Sequence, residues 1–270
     1  MPKLPKLAAF DLDGTLLNSQ KVITPRTLAA VRALADTGCV CVLASGRMYR
    51  DCMEGHVAQL GLDTPVIAYN GALVLNPTSG EIWHETSVSP DLCAPVLEHV
   101  RASGQHLNFY FEDRMYCPRP SEWGDLYIRR VGAKPIYRDD LYDWAAGRAA
   151  TKLLIVDDPA EIERCREQFQ AFYGDRLYIT ITEHEYLEFM NPTVSKGKAL
   201  LALCARLGID PADSVGFGDA PNDIPLLEDA GTGYAMAGAR PEVLAAADAV
   251  APGNDEDGVA QVIEGWLSGV

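Results

Sequence analysis

The chain has 270 residues, of which 48% are hydrophobic and 23% charged, with a formal net charge of −15. That balance is the ordinary one for a globular protein, and the length suffices for two cores. It excludes a membrane span, since no apolar stretch approaches the roughly 20 residues one needs, and so acidic a chain lacks the basic surface a nucleic-acid partner requires.

The N-terminus carries two lysines and a short apolar run, but Asp11 and Asp13 interrupt the run and no small-residue cleavage site follows, so it is not read as a signal peptide. The seven cysteines (Cys39, Cys41, Cys52, Cys93, Cys117, Cys165 and Cys204) form no CxxC pair. Their scatter fits reduced, buried thiols in a cytoplasmic protein.

In chain order, Lys6 to Asp11 reads as a short apolar strand ending in DLDGTLLNS. A helix is predicted from Thr24 to Thr37, with Pro25 in its first turn and Gly38 past its end. Cys39–Ala44 is a continuous apolar β-run that stops at Ser45-Gly46-Arg47, which is read as opening the next helix. Pro65–Ala72 then repeats the strand pattern. Apolar strands alternating with helices indicate a parallel sheet covered on both faces.

Beyond about Leu75 the texture changes to shorter strands with polar alternation: His106–Glu112, Arg114–Cys117, Thr151–Val156, Arg176–Thr182 and Tyr186–Met190. Helical patterns lie between them at Pro90–Ala102, Asp139–Ala146 and Pro159–Tyr173. This reads as an α+β module with an antiparallel sheet. From Ser195 the first texture returns, with a helix over Ser195–Gly208, strands in Ser214–Asp219, Ala230–Ala237 and Ala247–Pro252, and a closing helix from about Gly258. The expected architecture is α/β: a discontinuous, doubly wound, Rossmann-like core (1–82 and 191–270) with an α+β cap (83–190) inserted between its halves.

In an open parallel sheet, ligands bind outside the carboxyl ends of the strands. Asp11 and Asp13 follow the first strand, Ser45 the second, and Asp219 and Asp223 follow SVGFGD, while Lys196 opens the helix before that strand. Carboxylates converging on one crevice repel unless a cation sits among them. An all-oxygen set without His or Cys suits Mg²⁺. An Asp carboxylate can accept a phosphoryl group, and a second Asp two residues on can protonate the leaving oxygen and then deprotonate water. Ser45 and the amides near Gly46 can hold phosphoryl oxygens at a helix start, and Lys196 can neutralise developing charge. Taken singly, DxDGT divides about evenly between a turn and a catalyst, and the other motifs read first as helix caps or turns. Their order and placement carry the inference. A bound divalent ion also explains how so acidic a chain accepts an anionic ester.

DLDGTLL (Asp11–Leu17), ASGR (Ala44–Arg47), SKGKAL (Ser195–Leu200) and GDAPNDIPLL (Gly218–Leu227) resemble the four ordered motifs of the haloacid dehalogenase-like hydrolases. NGA at Asn70–Ala72, Asn191–Gly197 and Asn254–Val259 resemble the Cof-like, α/β-capped branch of phosphatases. The resemblance implies an aspartyl-phosphate enzyme with Asp11 as nucleophile and metal ligand. Asp13 would be the acid/base, with its carbonyl on the metal. Asp219 and Asp223 would hold Mg²⁺, and Ser45, Gly46, Arg47, Asn70, Gly71, Lys196 and Asn222 would form the phosphoryl site. Ala220-Pro221 departs from the usual small-then-variable pair but keeps the spacing of Asp219, Asn222 and Asp223. Lys198 is expected to face solvent.

The expected reaction is hydrolysis of a small phosphomonoester, such as a sugar phosphate, flavin mononucleotide or pyridoxal phosphate. The alternatives are phosphoryl transfer as in phosphomannomutases, and a catalytically silent binding or regulatory protein. The resemblance implies a monomer, or at most a weak homodimer. Cap cations Arg114, Arg119, Arg129, Arg130, Lys134 and Arg138, and aromatics Tyr110, Tyr116, Trp123, Tyr127, Tyr137 and Trp144, are candidate substrate contacts, although any one of them reads first as part of the cap's own core or solvated faces.

Overall fold

The computed structural model describes residues 4–269. In chain order it runs β1 (Leu7–Phe10), α1 (Pro25–Asp36), β2 (Val40–Ala44), α2 (Glu54–Leu60), β3 (Val66–Ala68), β4 (Leu73–Leu75) and β5 (Ile82–Glu85). Next come α3 (Pro90–Ser103), β6 (His106–Phe111), β7 (Arg114–Cys117), α4 (Glu122–Val131), β8 (Pro135–Tyr137), α5 (Leu141–Ala145), β9 (Lys152–Val156), α6 (Pro159–Tyr173), β10 (Tyr178–Glu183) and β11 (Tyr186–Met190). The chain ends with α7 (Lys196–Leu207), β12 (Ser214–Gly218), α8 (Ile224–Asp229), β13 (Thr232–Met236), α9 (Pro241–Ala246), β14 (Ala249–Ala251) and α10 (Gly258–Ser268). Two compact units result. One comprises the chain up to Arg47, Met53–His84 and the chain from Ser195 onward; the other comprises Met48–Cys52 and Glu85–Val194.

The first unit holds an eight-stranded sheet in the order β14-β13-β12-β1-β2-β3-β4-β5. Its neighbours are parallel from β14 through β3. The residues dictate this: β1 and β12 are buried along their whole length, which only a sheet covered on both faces permits. Leu7, Ala9, Val42, Ala44 and Ile67 bury one face with Leu200, Leu203 and Cys204 of α7 and Leu226 of α8. On the other face Phe10 stacks on Phe217 and Phe217 on Tyr234, with ring centroids 5.2 and 5.0 Å apart. Each such stack contributes about 0.5–1.5 kcal/mol beyond its buried area.

The predicted strand Pro65–Ala72 stops at Ala68. Tyr69, Asn70 and Gly71 all have positive φ, and this left-handed turn reverses the chain, so that β4 returns antiparallel to β3. The structure therefore places Asn70 and Gly71 in a turn.

The second unit has a six-stranded sheet, β10-β11-β9-β6-β7-β8. It is antiparallel except where β8 runs parallel to β7. The exception follows from α4, a helix absent from the pattern reading. Parallel neighbours need a long crossover connection, and α4 supplies it. Its ends are well marked: the Ser121 hydroxyl accepts from the Gly124 amide, Glu122 and Asp125 lie in the first turn, Arg129 and Arg130 in the last, and Gly132 closes it with φ +78°. Leu107, Phe109, Leu153, Ile155, Leu187 and Phe189 form the apolar face, under α3, α5 and α6. Among the described residues no helix is long and apolar enough to cross a membrane.

Candidate active site

Asp11 is the first residue past β1, and Asp219 the first past β12. The two strands are parallel neighbours in the middle of the sheet with Phe10 opposite Phe217, so both acids emerge at adjacent carboxyl ends. The Asp11 amide is fixed on the Phe217 carbonyl at 3.0 Å. Gly14, at φ +83°, permits the close approach of the two loops, because a Cβ there would lie 2.2 Å from an Asp219 carboxylate oxygen.

Lys196 opens α7. Ser195 caps that helix by accepting from the Lys198 amide, which leaves Lys198 exposed and Lys196 fully buried. The Lys196 ammonium donates to Asp11 at 2.6 Å and to Asp223 at 2.5 Å. The second Asp223 oxygen accepts from the amides of Asp219 and Ala220 at 3.0 and 3.1 Å, which folds the acidic loop through the Pro221–Asp223 turn. Pro221 thus starts a turn that the loop needs. Carboxylate oxygens of Asp11, Asp219 and Asp223 all lie within 4.8 Å of one another.

The electrostatics follow. Burial pushes the Asp11 carboxyl well above its usual range, against the pull of Lys196 and with added repulsion from Asp223 and Asp219. Burial and then Asp223 push Asp219 up to about 6. Burial works against the Lys196 charge, yet Asp11 and Asp223 together hold its pKa above the ordinary lysine value. One lysine among three acids leaves negative charge uncompensated. A buried, all-oxygen donor set of this kind fits a hard divalent cation such as Mg²⁺.

Asp13 stands apart from that cluster. Its carboxylate is clamped by Arg47, through Nε and a terminal nitrogen at 2.7 Å each, and by Lys21 at 2.8 Å. Burial alone would raise its pKa, but Arg47 and Lys21 hold it at about 2. Lys21, which itself has φ +60°, belongs to no motif and nothing in the sequence marked it. Thr15, inside DLDGTLL, was also passed over; its hydroxyl donates to Asp219 at 3.2 Å.

The Ser45-Gly46-Arg47 stretch does not open a helix as expected. Met48–Cys52 intervenes, and α2 begins only at Glu54. The reason lies in the second unit: Asp113, at the β6–β7 turn, accepts from the amides of Tyr49 and Arg50, and Asp51 pairs with Lys134. The Ser45 amide is taken by the Ile67 carbonyl and the Arg47 amide by the Ser45 hydroxyl. Loop groups, rather than a helix N-terminus, are what this segment offers an anion. Asn222 donates to the Asn70 side chain at 2.9 Å.

Several candidate contacts in the second unit are engaged internally. Tyr110 donates to Tyr127 at 2.7 Å and both are buried. Tyr116 packs on Trp144, which also meets Phe109 and Phe111. Arg130 pairs with Glu185, Lys134 with Asp51 and Arg138 with Asp140. Tyr137, Arg114, Arg119 and Arg129 are exposed, and Trp123 is partly so.

With this geometry in view, the chain matches the haloacid dehalogenase-like hydrolase family over residues 8–263. YxeH of Bacillus subtilis (strain 168) is 30% identical over 262 residues, covering 96% of this chain and 97% of its own. The 5-amino-6-(5-phospho-D-ribitylamino)uracil phosphatase YwtE of the same organism is 28% identical, covering 98% and 99%. A crystal structure from Thermotoga maritima superposes with a TM-score of 0.90 at 30% identity, covering 97% of each chain. The chain belongs to the haloacid dehalogenase-like hydrolase family and is an enzyme of its Cof-like phosphatase branch.

Proposed function

We propose that the chain hydrolyses a small-molecule phosphomonoester, a sugar phosphate or a phosphorylated cofactor, in a Mg²⁺-dependent reaction that passes the phosphoryl group through Asp11. The carrying observation is the strand-end cluster: Asp11 buried, 2.6 Å from the Lys196 ammonium, within reach of two further carboxylates. Asp11, Asp219 and Asp223 would hold the ion. When bound, it supplies positive charge to offset the clustered carboxylates and the phosphoryl oxygens.

An Asp11 oxygen attacks phosphorus, and the bond to the leaving oxygen breaks as Asp13 delivers a proton to it. Asp13 then takes a proton from water. That water attacks the aspartyl-phosphate, releases inorganic phosphate and restores the Asp11 carboxylate. Lys196 balances charge on the nucleophile and on the transferring group. Ser45, the Gly46 amide and Asn222 bind phosphoryl oxygens. Held by Arg47 and Lys21, Asp13 is a carboxylate, ready for the base step; to act first as the acid it must be released from this clamp and take up a proton from solvent, which it then passes to the leaving oxygen. YwtE, by its name, acts on a phosphorylated ribitylamino-uracil, which supports a phosphorylated small molecule as substrate here. The choice of substrate is assigned to the second unit, read as the cap.

The test is phosphate release across a panel of sugar phosphates, flavin mononucleotide and pyridoxal phosphate, with Mg²⁺ and with a chelator. Release that needs Mg²⁺ and falls by about three orders of magnitude or more in Asp11→Asn is the expected result. Undiminished release by Asp11→Asn would refute the mechanism, and isomer formation from a hexose phosphate with little free phosphate would make the enzyme a phosphotransferase.

A further inference from the structure

Three consecutive residues, Tyr69, Asn70 and Gly71, have φ of +49°, +55° and +104°. A fully buried tyrosine in this region is a backbone outlier, which persists only where its surroundings hold it. The Tyr69 carbonyl accepts from the Ala72 amide at 3.0 Å within the turn, and further contacts go to the candidate active site. The Tyr69 amide donates to the Arg47 carbonyl and the Asn70 amide to the Ser45 carbonyl, each at 2.9 Å. Gly71 abuts the residue before Lys196, since a Cβ on it would stand 2.4 Å from the Ser195 carbonyl oxygen. The side-chain oxygen of Asn70, a residue 9% exposed, accepts from the Asn222 amide at 2.9 Å.

We infer that Asn70 is a positioning residue, which joins the Ser45–Arg47 loop to the acidic loop and acts on the reaction through Asn222. The Asn70 amide holds the Ser45 carbonyl while the neighbouring Tyr69 amide holds that of Arg47, and the Asn70 side-chain oxygen sets the direction of the Asn222 amide. Asparagine suits the place because it tolerates positive φ while offering an acceptor. One residue, through its amide and its side chain, thereby gives two loops, from positions 45 and 222, a common frame. The inference rests on the phosphatase reading for its effect on turnover, but the tie itself does not depend on turnover.

The test is a double-mutant cycle of Asn70→Gly and Asn222→Ala, read with p-nitrophenyl phosphate and Mg²⁺ and, on the same four proteins, by urea unfolding. Glycine keeps access to the left-handed backbone and removes the side-chain carboxamide, acceptor included. Each single change should lower kcat/KM by about 10- to 100-fold, and the double variant should be about as impaired as the worse single one. The losses in stability should likewise fail to add. Factors that multiply, together with stabilities that add, would overturn the inference and make Asn70 an independent phosphate ligand. If the wild type released no phosphate, the phosphatase reading would fail, while the urea cycle would still decide the tie. Should Asn70→Gly not fold, Asn70→Asp takes its place. Aspartate keeps the acceptor, so this variant should stay closer to wild type than Asn222→Ala, and a greater impairment would overturn the proposal.

Discussion

Each unit buries a lysine, and the two are not alike. Lys196, with no exposed side chain, meets Asp11 and Asp223 at the strand ends of the first unit. Lys152, 4% exposed at its side chain, meets Glu188 at 3.0 Å and lies 4.9 Å from the centroid of the Tyr110 ring, between neighbouring strands of the second unit's sheet. In both, burial opposes the charge and the carboxylate partners still raise the pKa. The difference is balance. Lys152 and Glu188 cancel, whereas Lys196 faces three acids gathered within 4.8 Å. A balanced buried pair is a structural element of little net worth. An unbalanced one adds to burial in raising the pKa of its acids, as at Asp11 and Asp219, and offers a place for a cation.

The comparison breaks most sharply at Lys196. Lys196→Met should reduce phosphate release by about 10³-fold, and at neutral pH without Mg²⁺ it should cost about 3–5 kcal/mol, because it strands two buried carboxylates. Added Mg²⁺ should restore part of that stability by binding the folded form, visible as a rise in Tm larger than the wild type shows. A variant that unfolds as the wild type does, with or without Mg²⁺, would mean that the acids are not charged together and that the imbalance is illusory.

Glu188→Gln tests the other side. It strands Lys152 and should cost the second unit about 3–5 kcal/mol in urea unfolding, reported by Trp123 and Trp144. The paired replacement Lys152→Met with Glu188→Leu should return to within about 1 kcal/mol of wild type, and turnover of p-nitrophenyl phosphate should change little. Lost turnover with stability intact would make Lys152 a site residue and end the contrast.

The two lysines also divide in how far the sequence announced them. Lys196 was legible because phosphoryl chemistry demands fixed residue types at strand ends, and those ends follow from runs such as Ser214–Gly218. Lys152 was not, because an ion pair across two strands depends on register, with Glu188 opposite Leu154 rather than opposite the lysine itself. The helix Glu122–Val131 was written plainly in its Ser121 cap and Gly132 stop but was missed among aromatic residues that invite a strand reading. The Tyr69–Gly71 turn had a local signal in the Asn70-Gly71 pair, a dipeptide that favours turns, but the apolar run before it invites a longer strand. The positive φ of Tyr69 had none, since the carbonyl that its amide meets belongs to Arg47, far off in sequence. Met48–Cys52 likewise takes its shape from Asp113, so the expected helix start after Ser45 could not be corrected from local pattern.

The smallest effect is expected from a third buried group, His106, which is neutral where the lysines are charged. Its ring meets the Asn108 and Ser121 side-chain oxygens at 2.8 Å each. Burial lowers its pKa below the ordinary imidazole value of 6.5, against the upward pull of Asn108 and Asp125. Well above pH 6.5 the imidazole is neutral in folded and unfolded chains alike, and stability does not depend on its titration. Below 6.5 the unfolded chain takes a proton that the fold resists, so stability falls as the pH drops toward the folded pKa and then levels off. His106→Gln should flatten this segment of the curve while costing less stability than Glu188→Gln, as read by thermal unfolding of both proteins between pH 8 and pH 5. Parallel curves for the two proteins would show that His106 is protonated as easily inside as out. The second unit's interior would then tolerate an unpaired charge, and the cost assigned to stranding Lys152 would fall with it.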